Sequence, residues 1–491
     1  MSPGGQVRAV VLAPAPYRPR TLAVCADFGS TFTKLTVVDL GTGELVATAS
    51  HRTTIESDVL DGYGAAVTAL ADALPGADLE STVLACSSAG GGLRLAVLGY
   101  ERAVTAEAGY RVGLSAGAKV VHVAAGRLDS SALTALVESR PDLVLLAGGT
   151  DGGNADVLLG NAAVLARTAG LSRPIVVAGN IEVRDEVDAL LRAAGKHTIA
   201  TANVLPKIGV LDPAPARAAI REVFIRHVIG GKGLSKGSRF ASLVRAATPD
   251  AVLAGVELLA DGAGAVPGIG NVAVVDVGGA TTDVYSVVTP DSEESQLRRE
   301  VVEESWRGRT VEGDLGVRWN APGIVEASVA ERLIAAGSAE ESALREAAVV
   351  RGAEPGYLPG TWADAALDAR LAELAATIAL RRHARPHAVP LTAGTDTAVS
   401  VKRGGKDLRE VGLVVGSGGV LRHAAAGRGD AIVTAAIADR AGGWKLPEHA
   451  AVTVDRHYVL AAAGLLSFDH PETAARLLVD SLRGGSDCVD K

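Results

Sequence analysis

The sequence predicts an α/β protein of two related lobes, and three observations carry that prediction. Apolar runs of strand length alternate with alanine-rich stretches of helical character along most of the chain. Hydrophobic residues make up 48% but aromatics only 3%, so the core must be built from Ala, Val and Leu, as when apolar strands are covered by alanine-rich helices. Finally, a turn pattern near the N-terminus, Asp27-Phe28-Gly29-Ser30-Thr31-Phe32-Thr33-Lys34, returns far downstream as Asp276-Val277-Gly278-Gly279-Ala280-Thr281-Thr282-Asp283. At 491 residues the chain exceeds what one core holds and should divide into two to three domains.

The duplicated turn organises the rest. In each copy an apolar run (Leu22 to Ala26; Val272 to Val275) delivers an aspartate, a glycine stands third and a threonine seventh, and a β-rich segment follows. Each reads as strand, turn, strand. Small residues let successive backbone N–H groups converge on an anion, hydroxyls add donors, and a lysine supplies charge for phosphate. An aspartate at the end of each strand suits Mg²⁺, which keeps most of its waters. The expected nucleotide-binding residues are therefore Gly29, Ser30, Thr31, Thr33 and Lys34 in one turn and Gly278, Gly279, Ala280 and Thr281 in the other, with Asp27 and Asp276 as metal-positioning and catalytic residues. The alternative is a pair of ordinary hairpins whose glycines serve the turn alone. Duplication of aspartate, glycine and threonine weighs against it.

In chain order, Met1 to Arg20 mixes four prolines with three arginines and reads as a disordered tail. Thr54 to Leu74 has a polar start and an alanine-rich helical body, and Ser81 to Ala85 reads as a buried strand that ends in the small-residue turn Cys86 to Gly92. Val120 to Val123, Leu143 to Leu146, Ile175 to Ala178 and Ile199 to Ala202 read as successive parallel strands with helices between them. The loop Gly148 to Asn154 follows one of them, at the edge where open α/β sheets bind ligands, and a purely structural glycine turn is the competing reading. Ala214 to Ile229 reads as a helix running into Gly230 to Gly233, where Lys232 and Lys236 fit ordinary helix capping better than phosphate binding.

Beyond the second turn, Asp291 to Glu304 is a charge-rich solvated segment. Glu312 and Asp314, around Gly313, either face the phosphates as additional cleft residues or form a salt-bridged turn. Ala327 to Ala348 and Ala363 to Ala379 read as helices. Val411 to Val415 is a strand leading into Gly416, Ser417, Gly418 and Gly419 and then a helix start, an order that suits a nucleotide's approach.

The formal charge of −8 argues against a nucleic-acid scaffold. Three cysteines, Cys25, Cys86 and Cys488, are too few and too scattered for a disulfide framework or a metal knuckle. No apolar run approaches the length of a membrane span, and a cytoplasmic protein is expected.

The ordered set of both turns and the Gly416 to Gly419 loop resembles the actin-like ATPase superfamily. Thr310 to Gly316, Leu145 to Asn154, Ser87 to Leu93 and Gly405 to Leu408 are more closely similar to the accessory proteins of glutamate (methylaspartate) mutase, a family also called MutL although unrelated to mismatch repair. The resemblance runs from about Leu22 to Leu478. It implies two RNase H-like lobes around a central nucleotide cleft, residues 21–265 forming the first with an inserted α/β segment around 100–215, and residues 266–491 the second. It further implies ATP and Mg²⁺ as ligands and the subunits of a cobalamin-dependent mutase as partners, with a homodimer left open. An ATPase of chaperone type follows, with a small-molecule kinase or a non-hydrolysing nucleotide-binding scaffold as alternatives. The iron–sulfur activators of the same superfamily bind their cluster through cysteines, which this chain lacks in number.

Overall fold

The structure, a computed structural model, describes residues 8–12, 20–89, 91–101, 104–230, 233–289, 307–385, 388–393, 399–402 and 405–483. The charge-rich 291–304 segment, Gly90, Lys232 and Cys488 lie outside the described residues, as do 1–7 and 13–19 of the expected tail. Arg8–Val11 instead adds an antiparallel edge strand, Arg8 opposite Ser50 and Val11 opposite Ala47, its backbone N–H and C=O groups completing an otherwise unpaired sheet edge. Disorder is therefore corrected over those four residues.

The first lobe is built on β1 (Leu22–Phe28), β2 (Phe32–Asp39), β3 (Leu45–Arg52), β4 (Val83–Ser87) and β5 (Val244–Ala247), in the order β3-β2-β1-β4-β5. The second uses β6 (Val272–Val277), β7 (Thr282–Val287), β8 (Arg307–Glu312), β9 (Leu413–Ser417) and β10 (Ala451–Val454), in the order β8-β7-β6-β9-β10. Both sheets join their first three strands antiparallel and add the last two parallel. Short turns join three of the four antiparallel pairs, β7 and β8 being separated by residues 288–306, whereas each parallel addition needs a long crossover. The repeated order and direction make both lobes RNase H-like, as the sequence led us to expect.

Every residue of β1 is buried, which explains its unbroken apolar run. Leu22, Val24, Ala26 and Phe28 face one core, while Ala23 and Cys25 face another. In β6, Ala273, Val275 and Val277 turn to the second lobe's own core while Val272 and Val274 join Ala23 and Cys25. The backs of both sheets thus share one central core, and period-two alternation assigns each side chain to it or away from it.

That shared core is filled by α1 (Thr248–Asp261) and α3 (Val459–Leu466), one helix following each lobe's last strand. The two cross at glycines. A β-carbon on Gly255 would lie 2.2 Å from the carbonyl oxygen of Leu460, and one on Gly464 would lie 1.7 Å from that of Ala251. Only glycine permits backbones to approach so closely.

The insertion contributes parallel strands Thr198–Ala200, Ile175–Val177, Leu143–Leu146, Arg94–Gly99 and Lys119–Ala125, adjacent in that order. The same sheet is extended by Ala388–Ala393 and Val399–Lys402 from the far end of the chain. The four anticipated strands are present, and Arg94–Gly99 joins them. Ala214–Val223 is helical and continues as a π-helical turn, Phe224–Ile229. The single helix expected over Ala327 to Ala348 is two, Ala321–Ala330 and Ala339–Ala353, because Arg332 and Gly337 take positive φ and Ser338 caps the second. The next helix is α2 (Trp362–Ala384). Among the described residues, no helix is long and apolar enough to cross a membrane.

Candidate functional site

The two turns are built alike. In the first, Asp27 pairs across the hairpin with Lys34 and Gly29 N–H donates to Phe32 at 3.1 Å. In the second, Asp276 pairs with Asp283 and Gly278 N–H donates to Thr281 at 2.9 Å. A β-carbon on Gly29 would meet the Phe32 carbonyl oxygen at 2.7 Å, and one on Gly278 the Thr281 oxygen at 2.8 Å. The third-place glycine is therefore a steric requirement of both turns, whatever they bind.

The turn tips touch. The Thr31 hydroxyl would lie 3.0 Å from a β-carbon on Gly279, and its oxygen is buried with no hydrogen-bond partner among the described residues. The second tip is braced from behind, since Arg318 and Trp319 N–H groups both donate to the Gly279 carbonyl at 2.9 Å and Asn320 donates to that of Ala280 at 2.8 Å.

Asp27 and Asp276 sit in contrasting surroundings. Asp27 is buried; it accepts from Lys34 Nζ at 3.0 Å and Thr248 Oγ1 at 2.6 Å, with Cys86 Sγ at 3.7 Å. Asp276 is half-buried and has no hydrogen-bond partner for its carboxylate among the described residues. Burial, partly offset by Lys34 and reinforced by Asp283, Asp27 and Asp455, pushes the Asp276 carboxyl up to about 6. Burial opposes the Lys34 charge, yet Asp27, Tyr458 and Asp276 hold its pKa above the ordinary lysine value. Lys34 is thereby a cation fixed among carboxylates contributed by both lobes.

Residues absent from the sequence reading complete the cluster. The Lys34 ammonium lies 4.0 Å from the Tyr458 ring centroid, and the Arg422 guanidinium lies 4.4 Å from that same centroid. Tyr458 adopts φ 56°, a left-handed conformation that costs a tyrosine energy and is found where surrounding structure over-determines it. Its neighbour Asp455 accepts the N–H groups of Val459 at 2.9 Å and Leu460 at 3.1 Å, capping α3. An acidic residue followed by the apolar run Val459 to Leu466 was a legible capping signal; Tyr458 and Thr248 carried none, being placed by the fold.

The third expected element abuts the second hairpin. Ser417 pairs in register with Asp276 and Gly416 with Val275. Gly418 has φ +101°, and a β-carbon there would lie 2.1 Å from the Val277 carbonyl oxygen. Gly419 begins a short helix that ends at Arg422.

Two expected phosphate donors, Thr33 and Thr281, have their hydroxyls engaged elsewhere, and Glu312 and Asp314 follow one of their two readings. Thr33 is no phosphate donor here, for its hydroxyl is fully buried against Thr53 Oγ1 at 3.1 Å, and Thr53 in turn donates to the Gly29 carbonyl. Its counterpart Thr282 donates to Leu315 at 2.6 Å, so the seventh-place threonines brace the turns. Glu312 and Asp314 form the salt-bridged turn, both held by Arg382 at 2.7 Å. Thr281 Oγ1 donates to Asp283, itself paired with buried Arg309 at 2.8 Å. Ser30 and Ala280 remain half-buried at the tips. Farther off, Asn203 and Asn180 tie down the Gly148 to Asn154 loop through the Gly149 and Gly153 carbonyls, each at 3.0 Å. Lys236 N–H caps Asp58.

The cavity beside Asp27, Lys34 and Tyr458 measures about 10 Å³, room for roughly one water. A nucleotide needs roughly 300 Å³ or more. That cavity alone would not admit a nucleotide. The unpartnered Asp276 carboxylate, raised in pKa by burial and then by Asp283, Asp27 and Asp455 against the pull of Lys34, would fit a divalent cation that keeps most of its waters, since among the described residues no group of three acidic, histidine or cysteine side chains forms a cage for one.

Compared with known proteins, residues 23–482 match the family described as MutL protein. "Protein MutL" of Clostridium tetanomorphum is 38% identical over 454 residues, covering 92% of this chain and 97% of that protein. Among solved structures, nucleotide-free acetone carboxylase, from work on ATP-dependent acetone carboxylation, gives a TM-score of 0.30 at 14% identity; 74% of this chain spans 62% of that one. The ethanolamine utilization protein EutJ of Carboxydothermus hydrogenoformans gives 0.28 at 11% identity over 94% of this chain and 90% of its own. Xylulose kinase of Bifidobacterium adolescentis gives 0.30 at 13% identity over 94% and 93%. Likenesses at that level leave the fold to be read from the strand orders.

Proposed function

This chain belongs to the MutL protein family, and on that premise we propose that it is an ATP-dependent accessory protein that reactivates a cobalamin-dependent carbon-skeleton mutase, glutamate (methylaspartate) mutase foremost. The observation that carries the nucleotide reading is the pairing of two register-matched hairpins at one point. One supplies the cation Lys34 and the other the unpartnered carboxylate Asp276.

On this reading Lys34 leaves Asp27 and Tyr458 to donate to the β- and γ-phosphates, and the tip amides of residues 29–31 and 278–281 supply further donors. The loop 416–419 borders the rest of the nucleotide. Asp276 accepts a hydrogen bond from the attacking water and orients it, a role for positioning and electrostatics more than covalent chemistry. Mg²⁺, held by Asp276 and Asp27 through waters, would supply charge neutralisation at the phosphates. Coupling to the mutase follows if ATP binds one lobe arrangement more tightly than another, with α1 and α3 as the pivot.

The test is phosphate release from ATP, with and without purified glutamate mutase, together with recovery of inactivated mutase. Lys34→Ala should weaken nucleotide binding by about 2–5 kcal/mol. Hydrolysis and mutase recovery that are untouched by Lys34→Ala and Asp276→Ala would remove the site from this account. Transfer of phosphate to an added metabolite would make the protein a kinase instead. The pairing of Arg382 with both Glu312 and Asp314 weighs against either as a kinase base. Binding without release would make it a scaffold.

A further inference from the structure

A second cavity, of about 300 Å³, lies away from the hairpins at the N-terminal edge of the inserted sheet. Asp142, Pro174 and His197 stand immediately before three neighbouring parallel strands, Leu143–Leu146, Ile175–Val177 and Thr198–Ala200, with Arg173 one residue earlier. The opposite wall is His227, from the π-helical turn Phe224–Ile229 of the first lobe. The cavity thus sits where the insertion meets the lobe, and such junctions are preferred ligand sites. Single π-turns are often kept where a side chain must be presented for function.

The lining chemistry is uneven. Arg173 has no hydrogen-bond or ion-pair partner among the described residues, and the same holds for the ring nitrogens of His197 and His227, whose centroids are 5.4 Å apart. Three charged neighbours do have partners. The Asp142 carboxylate accepts the Arg94 N–H at 3.0 Å, Arg226 pairs with Glu222 at 3.0 Å, and Lys196 donates to the carbonyls of Thr168 and Leu171. With both imidazoles neutral, Asp142 and Arg173 cancel; with both protonated, the pocket carries a net charge of about plus two.

We infer that this cavity is a binding site for a small anion, a carboxylate or phosphate held by Arg173 and by protonated His197 and His227, with affinity that rises as pH falls. His227 is hard to protonate through partial burial and, after it, repulsion from His197 and Arg226; an anion between the rings offsets that repulsion. Arg173, His197 and His227 are all exposed, so replacing them leaves the core intact.

The test is calorimetric titration of the full chain carrying Lys34→Ala, which removes phosphate affinity at the hairpins, with inorganic phosphate and separately with acetate. Acetate keeps its charge from about pH 6 to about pH 8, so its pH dependence reports the imidazoles alone. Expected is one saturable site, tighter by about tenfold or more at the lower pH, lost in Arg173→Ala and insensitive to pH in His197→Gln/His227→Gln. The inference is overturned by binding indifferent to Arg173→Ala, by binding stronger at the higher pH, by no heat from either anion at about 50 mM, or by Zn²⁺ capture at the histidine pair in place of anions. None of these outcomes depends on whether the hairpins bind ATP.

Discussion

Replacing Asp276 by asparagine should make the protein more stable at the same time as it abolishes the ATP turnover proposed for this site. In the absence of a cation, the Asp276 carboxyl titrates near 6 instead of the ordinary 3.8, raised by burial and by Asp283, Asp27 and Asp455 against the pull of Lys34. The folded state then holds a proton that the unfolded chain has already lost, so stability falls as pH rises from about 4 to about 6 and the penalty is full above that. At about 1.4 kcal/mol per pH unit, the charged carboxylate costs the folded protein about 3 kcal/mol at neutral pH. Asparagine keeps the shape and removes the charge. For a chain of this length, whose unfolding entropy is about 1 kcal/mol per kelvin, the gain is a rise of about 3 °C in Tm. Thermal unfolding of both forms without nucleotide, at about pH 8 and about pH 4, checks it: the gain should be present at the first and absent at the second. An asparagine variant no more stable than wild type at pH 8, or equally favoured at pH 4, refutes the reasoning that Asp276 is held as an unsatisfied charge.

Other expectations follow from separate contacts. Gly464→Ala, which would put a methyl group 1.7 Å from the Ala251 carbonyl oxygen, should force α1 and α3 apart and cost about 1–3 kcal/mol, read by urea denaturation. It should also alter nucleotide affinity, measured by calorimetry, because the same crossing is the proposed pivot. Asp368→Ala strands the buried guanidiniums of Arg318 and Arg351, both paired to it, and should destabilise by about 3–5 kcal/mol, with loosening of the Gly279 tip that Arg318 braces. Tyr458→Ala should free Lys34 and Arg422 from the shared ring and change the salt dependence of ATP binding; Tyr458→Phe, which keeps the π face, should not. Thr33→Val should lower stability by about 1 kcal/mol through the lost Thr53 contact while leaving the ATP Kd unchanged.

Local chemistry made the two hairpins legible. An apolar strand, an aspartate and a glycine that the turn cannot do without are requirements satisfied within eight residues, and they recur because both lobes solve the same local problem. The same locality explains the overreach at Thr33: motif position tells which residue is in the turn, but which way a hydroxyl points depends on Thr53, a strand away. Likewise spacing left Glu312 and Asp314 open between a cleft role and a salt-bridged turn, because their partner, Arg382, lies 70 and 68 residues on.

By itself, then, the sequence determined the alternation of strands and helices, the duplicated aspartate turns and the family, since each is written in contiguous residues whose backbone and patterning needs are local. Only the tertiary structure decided that the tips meet at Thr31 and Gly279, that Lys34 is fixed by Asp27 and Tyr458 while Asp276 stands unpartnered, and that two helices cross on glycine behind them. Those facts depend on burial and on charges brought together from opposite ends of the chain, and no spacing along it encodes the distance between them.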